Sequence, residues 1–472
     1  MQLATCLFAC TLLASAPLAA APGATGLDGG DIATAERLRD AALQGSEAWN
    51  VVESLTTEVG PRMAGSPADA RAVAWAQAKF EALGYDKVTL EPVTFPVWYR
   101  HRESAQVLAP FPQPLVVTAL GGSVGTGDTP LEAEVVEFVD LAALRAAPDN
   151  SLAGKIAYVS HRMTRAKDGS GYGPAVGARV DGASVAAKKG ASAVIIRSVG
   201  TSSDRFAHTG VMRYAPDVAR IPAASLSNPD ADLLSHMIAR GQPVRLRLDI
   251  GAETRGEATS HNVIGEITGR ELPDEIVVMG GHLDSWDLGT GAIDDGAGVA
   301  ISMAAGALIG GLEQAPRRTV RVIAFANEEQ GLYGGKVYAQ ARADAVAAHQ
   351  LVSESDFGAG RVYALRAGTD PAAWPALERI AGVLAPLGVA LERDAGGPGP
   401  DVGPIAALGA PWAQLAQDGT DYFDYHHTAN DTLDKIDPKA LDQQVAAYAA
   451  LAYLAAETDV DFGRSPPPKT PE

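Results

Sequence analysis

Cysteine is almost absent from this chain: two in 472 residues, Cys6 and Cys10, both within the first ten positions. The remainder has no disulfide framework, and at this length its core needs no such staples. Basic residues are outnumbered, 38 Lys and Arg against 57 Asp and Glu, for a formal net charge of −19. That balance argues against nucleic acid or an anionic membrane as partner and otherwise suits a plain soluble surface. Beyond the first 21 residues no apolar run is read as long enough to span a membrane, so no stable membrane insertion is expected. Several catalytic signatures are missing too. No G-x-S-x-G is read at a strand-to-helix elbow, there is no H-E-x-x-H helix and no G-x-G-x-x-G after a strand, and Ser285 lies on a loop among acids.

What is present begins with residues 1–21, which carry no charged side chain and end in Ala19-Ala20-Ala21. This pattern reads as an apolar leader with an Ala-rich cleavage zone, although no Lys or Arg precedes it. An exported protein, periplasmic or extracellular once the leader is removed, is the expectation. The length calls for two domains. Residues 22–111 read as the first part of an α/β domain: a helix over 34–56, a second over 69–83 stopped by Gly84, then a strand over 87–97 interrupted by Pro92. Residues 112–256 change texture, with short strands at 131–139, 155–159, 193–196 and 244–250 and a helix over 182–189. Glu132, Glu134, Glu137 and Asp140 there read as a solvated β-edge. This stretch gathers no metal ligands and is read as an inserted, β-rich second domain. The α/β rhythm returns over 257–461, with strands at 262–267, 275–279, 320–326, 349–352 and 405–407. Helices are expected there over 295–311, 333–346, 372–386 and 439–457. Residues 462–472 read as a disordered tail.

The chemistry collects at the ends of apolar strands. Ile276-Val277-Val278-Met279 runs through Gly280-Gly281 into His282-Leu283-Asp284, and Asp294-Asp295 follows in a glycine-rich loop. A second strand ends in Asn327-Glu328-Glu329, a third leads into Glu354-Ser355-Asp356, and Tyr425-His426-His427-Thr428 comes later. Acids and imidazoles are disfavoured in a core unless paired or metal-bound, and the C-terminal ends of neighbouring parallel strands are where an α/β sheet places its chemistry. His282, Asp294, Glu329, Asp356 and His427 form a mixed nitrogen and oxygen set that suits Zn2+ better than Ca2+ or Mg2+. Five ligands exceed the need of one catalytic zinc and fit two ions sharing a carboxylate. Glu328 and Glu329 point different ways, leaving one free to act as a general base. Asp284 can orient the His282 ring through its second nitrogen.

These blocks, from Gly281-His282-Leu283-Asp284-Ser285-Trp286-Asp287 through Tyr425-His426-His427-Thr428, resemble the five metal-site blocks of the M28 family of zinc aminopeptidases. The wording is most similar to that of its carboxypeptidase Q branch. Pro61-Arg62-x-x-Gly65-Ser66 resembles the family's opening, and the middle stretch resembles a protease-associated (PA) domain. The resemblance implies an α/β fold with a mixed central sheet flanked by helices, a zinc-dependent exopeptidase fold carrying an inserted β-rich PA-like domain. It also implies two Zn2+ per chain: Asp294 bridges them, His282 and Asp356 complete one, and Glu329 and His427 complete the other. Glu328 is then the general base, Asp284 supports His282, and the Asp294–Asp295 peptide is cis. His426 and Tyr425 would lie near substrate or behind the ligands, and Asp287 would be available to hold a free α-amino group. The expected activity is that of an aminopeptidase or dipeptidase on short peptides with a free N-terminus, in a homodimer.

The rival enzyme reading is the same dinuclear site acting as a carboxypeptidase or amidohydrolase on acylated amino acids or small peptides. A Lys or Arg cluster poised for a substrate carboxylate would favour it, and only Arg393 and Lys435 stand near the last blocks. A non-catalytic homologue would be expected to have lost a ligand, and none is missing.

Overall fold

The structure, a computed structural model, describes residues 26–393 and 395–466. The leader expected over 1–21 and the last six residues of the expected tail lie outside them. The first helices are α1 (Gly29–Gln44), α2 (Ala48–Ser54) and α3 (Pro67–Ala82). Asp28 and Asp31 close a reciprocal capping box on α1, while Ser66 caps α3 with Pro67 in its first turn. The single helix expected over 34–56 is broken at Gly45, which ends α1.

Next come β1 (Lys87–Ala109), β2 (Gln113–Leu115), β3 (Val117–Ala119), β4 (Leu131–Phe138), α4 (Leu141–Ala146), β5 (Ile156–Val159) and α5 (Tyr172–Lys188). They are followed by β6 (Ala193–Arg197), β7 (Ala223–Leu226), α6 (Asn228–Ile238) and β8 (Arg245–Ile267). The remainder holds β9 (Leu272–His282), α7 (Ala297–Gly310), β10 (Arg318–Phe325), α8 (Tyr333–Ala341), β11 (His349–Glu354), β12 (Val362–Gly368) and α9 (Trp374–Leu384). Last are β13 (Ala390–Leu391), α10 (Gly403–Ala407), β14 (Trp412–Gln417), α11 (Tyr422–Tyr425) and α12 (Pro438–Glu457).

Among the described residues the strands form one mixed sheet, ordered β13-β12-β14-β11-β9-β10-β8-β4-β5-β6-β7-β3, with β1 beside β8 and β2 beside β1. β1 and β8 are 23-residue strands paired antiparallel from Lys87↔Glu266 to Ala109↔Arg245. One end of β8 pairs with β10 and the other with β4, so the ribbon carries the sheet from one half of the molecule into the other. The expected insert is thus continuous with the sheet. Pro92 does not interrupt β1: opposite His261 it lies on an edge strand, where a missing N–H breaks no ladder.

Other expectations shift. Residues 405–407 lie in α10, not in a strand, because a short apolar run cannot by itself distinguish the two. The strands there are β12, not anticipated, and β14. The helix expected over 182–189 is the second half of α5. The stretch Ala292–Gly310 is long and apolar enough to cross a membrane, contrary to the sequence reading, but 89% of it is buried inside the protein. Its Ala- and Gly-rich α7 packs against α12 in the core, as a helix apolar on all sides should. Of the expected tail, residues 462–466 lack regular structure, yet Phe462 is fully buried and Ser465 bonds the Ala406 carbonyl.

Candidate metal centre

β9 pairs in parallel with β10 and with β11, placing His282 opposite Phe325 and Glu354 opposite Gly280. The three strands therefore release His282, Glu328-Glu329 and Asp356 at one edge. His282 is 1% exposed, and its Nδ1 bonds the backbone carbonyl of Asp284 at 2.9 Å. That leaves Nε2 facing Asp294 Oδ1 at 3.2 Å and Asp356 Oδ1 at 3.7 Å. The other oxygen of Asp294 faces His427 Nε2 at 3.2 Å, and His427 Nε2 lies 2.8 Å from Glu329 Oε2. Each oxygen of one carboxylate thus meets a different imidazole. His282, Asp294 and Glu329 could hold one ion, as could Asp294, His426 and His427, or His282, Asp295 and Asp356.

The donor set fits divalent zinc. Asp294 Oδ2 and Glu329 Oε1 are buried without a hydrogen-bond partner. Burial, with mutual repulsion, pushes the carboxyls of Glu328, Asp295, Glu354 and Asp401 well above the usual range. Burial works against both Asp294 and His427, yet the contacts around Asp294 hold it well below the carboxylate range, and Glu329 and Asp294 push His427 up to about 9. The site has more buried negative charge than its two ligand imidazoles can balance, which is what cations would correct. The structure thus carries clusters consistent with a dinuclear zinc site.

Backbone bonding fixes the loops. Asp431 accepts the N–H groups of Ile293 at 2.6 Å and Asp294 at 3.2 Å. The Asp294–Asp295 peptide is cis, and Asp295 accepts from the N–H groups of His282 and Gly298. A Cβ on Gly298 would stand 1.8 Å from the Ser355 carbonyl, so only glycine lets these loops approach. Arg62, fully buried, donates to the carbonyls of Leu283, Thr290 and Gly291 and so ties the loop after β9 to the one carrying Asp294. The sequence reading marked its block and gave it no task.

Glu328, half-buried, lines a cavity of about 410 Å3 with Glu329, Asp356, His426 and His427, and its N–H donates to Asp284 Oδ1 at 3.0 Å. Asp284 meets His282 mainly through its carbonyl, its carboxylate oxygen standing at 3.7 Å. The same carboxyl is pushed up to about 7 by burial. His426 stacks on His427 with ring centroids 3.5 Å apart and lines the cavity. Asp287 is engaged by Arg100, with Nε at 3.1 Å, and Tyr425 lines a separate depression with Lys435; neither lines the cavity. Arg393 and Lys435 are paired with Glu378 and Asp434. The cations that do reach the cavity are Arg179 on α5 and Arg213, with Tyr172 beside them. All three come from the stretch where the sequence showed no chemistry. The only available signal was an Arg seven residues after a Tyr, two helical turns on one face.

A family model described as Peptidase family M28 matches residues 262–452. Carboxypeptidase Q of Bos taurus is 36% identical over 87% of this chain and 85% of its own, and that of Homo sapiens 34% identical over 87% and 85%. A crystal structure of a Peptidase M28 precursor from Shewanella amazonensis SB2B is 52% identical, with a TM-score of 0.91 over 93% of this chain and 99% of its own. An aminopeptidase from Aneurinibacillus sp. strain AM-1 is 24% identical, with a TM-score of 0.64 over 92% and 98%, and speaks to fold alone. The curated relatives that match 87% of this chain at 34–36% identity are named Carboxypeptidase Q, and this overturns the expected aminopeptidase activity on free N-termini.

Proposed function

The chain belongs to peptidase family M28, and from that premise we propose that it is a dinuclear zinc carboxypeptidase acting on small peptides or acylated amino acids. The dinuclear centre is carried by the division of the Asp294 carboxylate, one oxygen toward His282 and the other toward His427, each at 3.2 Å, and the carboxypeptidase reading by the names of the curated relatives. His282 and Asp356 would hold one zinc, Glu329 and His427 the other, with Asp294 shared. Bound there, the pair supplies Lewis acidity for a peptide carbonyl and acidifies a water. Glu328 takes the proton from the attacking water and returns it to the leaving amine. The Asp284 carbonyl holds the His282 tautomer, and His426, stacked on His427, walls the substrate space. A 410 Å3 cavity suits a ligand of one or two residues.

The parts 22–111 and 257–461 make up the catalytic unit in this reading. Residues 112–256 act as a PA-like unit over the cavity, supported by the run β4-β5-β6-β7 at one end of the sheet. The leader pattern supports export, and a homodimer rests on the resemblance.

The test is release of the C-terminal residue from N-acetylated dipeptides, with chelation and zinc add-back, in wild type and Glu328→Gln. Zinc-dependent cleavage that falls about 10^3-fold in the variant is expected. Cleavage indifferent to chelation would overturn the proposal.

A further inference from the structure

We propose that Thr209, in the stretch 112–256, is a positioning residue for His427. It holds both the backbone and the ring of that histidine, so that Nε2 serves the second zinc. The inference rests on the dinuclear zinc reading and names the part of this chain that shapes the second ion's site.

The two imidazoles are held in different ways. His282 bonds the Asp284 carbonyl within its own loop. His427 is held from 218 positions away: its Nδ1 lies 3.4 Å from the Thr209 carbonyl, and its own carbonyl accepts the Thr209 N–H at 3.0 Å. His427 has φ +60°, a backbone region that a non-glycine residue keeps only where its surroundings fix it. The reciprocal contact with Thr209 supplies that constraint. Thr201 extends it, donating its N–H to the Phe423 carbonyl at 2.9 Å and its hydroxyl to Asp424 at 2.8 Å.

The loop that carries Thr209 is itself seated. Thr209 is fully buried, and its hydroxyl donates to the carbonyl of Ala119, the last residue of β3, at 2.8 Å. The His208 N–H donates to the hydroxyl of Ser198, just after β6, at 2.8 Å, and the Gly210 carbonyl accepts the Gly121 N–H at 2.9 Å. Gly210 has φ +126°, and a Cβ there would fall 2.7 Å from His427 Nδ1, so glycine is what lets the loop reach the ring.

Arg179 is the rival partner for Nδ1, since its Nη1 also lies 3.4 Å away. A guanidinium only donates, so that bond needs a bare Nδ1 and a proton on Nε2. Nε2 faces Asp294 and Glu329, where its lone pair is needed for an ion. The proton therefore belongs on Nδ1, and the Thr209 carbonyl is the group that accepts it. A carbonyl behind a ligating imidazole fixes its tautomer and ring orientation. Residues 112–256 are in this way part of the metal centre as well as a cover for the cavity.

The experiment titrates zinc into the metal-free full chain against a chromophoric chelator, for wild type, Gly210→Ala, Thr209→Val and Tyr158→Phe. Thr209→Val keeps the side-chain shape and removes the bond to Ala119. Tyr158→Phe removes a buried bond to the Ala231 carbonyl, away from the loop. One zinc affinity should fall about 10-fold to 100-fold in Gly210→Ala and about 3-fold in Thr209→Val, the other staying within about 2-fold. Tyr158→Phe should change neither. Anomalous diffraction from Gly210→Ala with one equivalent of zinc should show its peak at His282 and Asp356. Equal weakening of both ions, no weakening, the same loss in Tyr158→Phe, or a peak at Glu329 and His427 would overturn the proposal. Should wild type take up fewer than two ions, the dinuclear reading fails by itself. Nitrogen-15 spectra of histidine-labelled, metal-free protein then decide. A His427 Nδ1 proton protected from exchange in wild type and not in Thr209→Val supports the positioning, and equal protection contradicts it.

Discussion

Two surfaces of opposite chemistry line the same cavity and meet at His427, whose Nδ1 lies 3.4 Å from Arg179 Nη1. The ends of β9, β10 and β11, with the loop after α11, present acids and imidazoles that converge on Asp294. The face of α5 presents a phenol and a guanidinium and no metal ligand. The first surface is fixed by backbone bonds on nearly every loop, and the second by a helix at one end of a shared sheet. In the proposed reading bond cleavage belongs to the first surface and the second only walls the substrate space, so mutations should separate them.

The largest expected effect tests the rigidity of the first surface. Arg62→Met leaves the Leu283, Thr290 and Gly291 carbonyls unpaired, which should cost about 3 kcal/mol in denaturant unfolding. It should also weaken zinc binding about 10-fold to 100-fold by metal titration. Unchanged zinc affinity would show that the ligands need no such scaffold.

A smaller effect probes the second surface. Arg165 bonds Asp424 through both oxygens, at 2.6 and 2.7 Å, and the Thr420 carbonyl at 2.9 Å, tying the loop before α5 to the segment leading into His426 and His427. The side chain is 40% exposed, so Arg165→Ala should cost less than about 1 kcal/mol of stability. KM should nevertheless rise about 3-fold with kcat little changed, because the wall of the cavity loosens and the metal side does not. A fall in kcat at constant KM would break the division.

The smallest effect concerns the joint between the halves. On β8, burial opposes ionisation of Glu266, but Arg321 and Lys87 outweigh it and hold the carboxyl below its ordinary value. A depressed carboxyl contributes stability above its unfolded value, about 4.3, and the contribution fades as pH falls through the folded value. Glu266→Gln should therefore be about 1 kcal/mol less stable than wild type at pH 7, the gap closing toward pH 3 in pH-dependent unfolding. A gap independent of pH would assign the effect to packing.

The two surfaces also differed in legibility. His282, Asp294, Glu329, Asp356 and His427 stood out because acids and imidazoles at the ends of buried strands demand an explanation. Their meeting place followed from parallel pairing, and the structure brings all five together. Tyr172 and Arg179 went unnoticed because Gly173, Gly177 and Gly182 weaken the helical pattern of α5, and an arginine on a helix ordinarily faces water. Arg62 sat in a recognised block, but its three carbonyl partners come from positions more than 220 residues away in sequence, which no local pattern shows. Asp287 looked available because its partner Arg100 lies 187 positions earlier. β1 and β8 were read as shorter strands because their pairing joins both halves rather than closing within one.

The most direct test of the dinuclear centre is anomalous diffraction at the zinc edge from crystals of the zinc-loaded protein. Two peaks are predicted, one on each side of the Asp294 carboxylate, at about 2.0–2.2 Å from ligands on His282 and Asp356 for one and on Glu329 and His427 for the other. A single peak, or a second peak held by other side chains, would contradict the account.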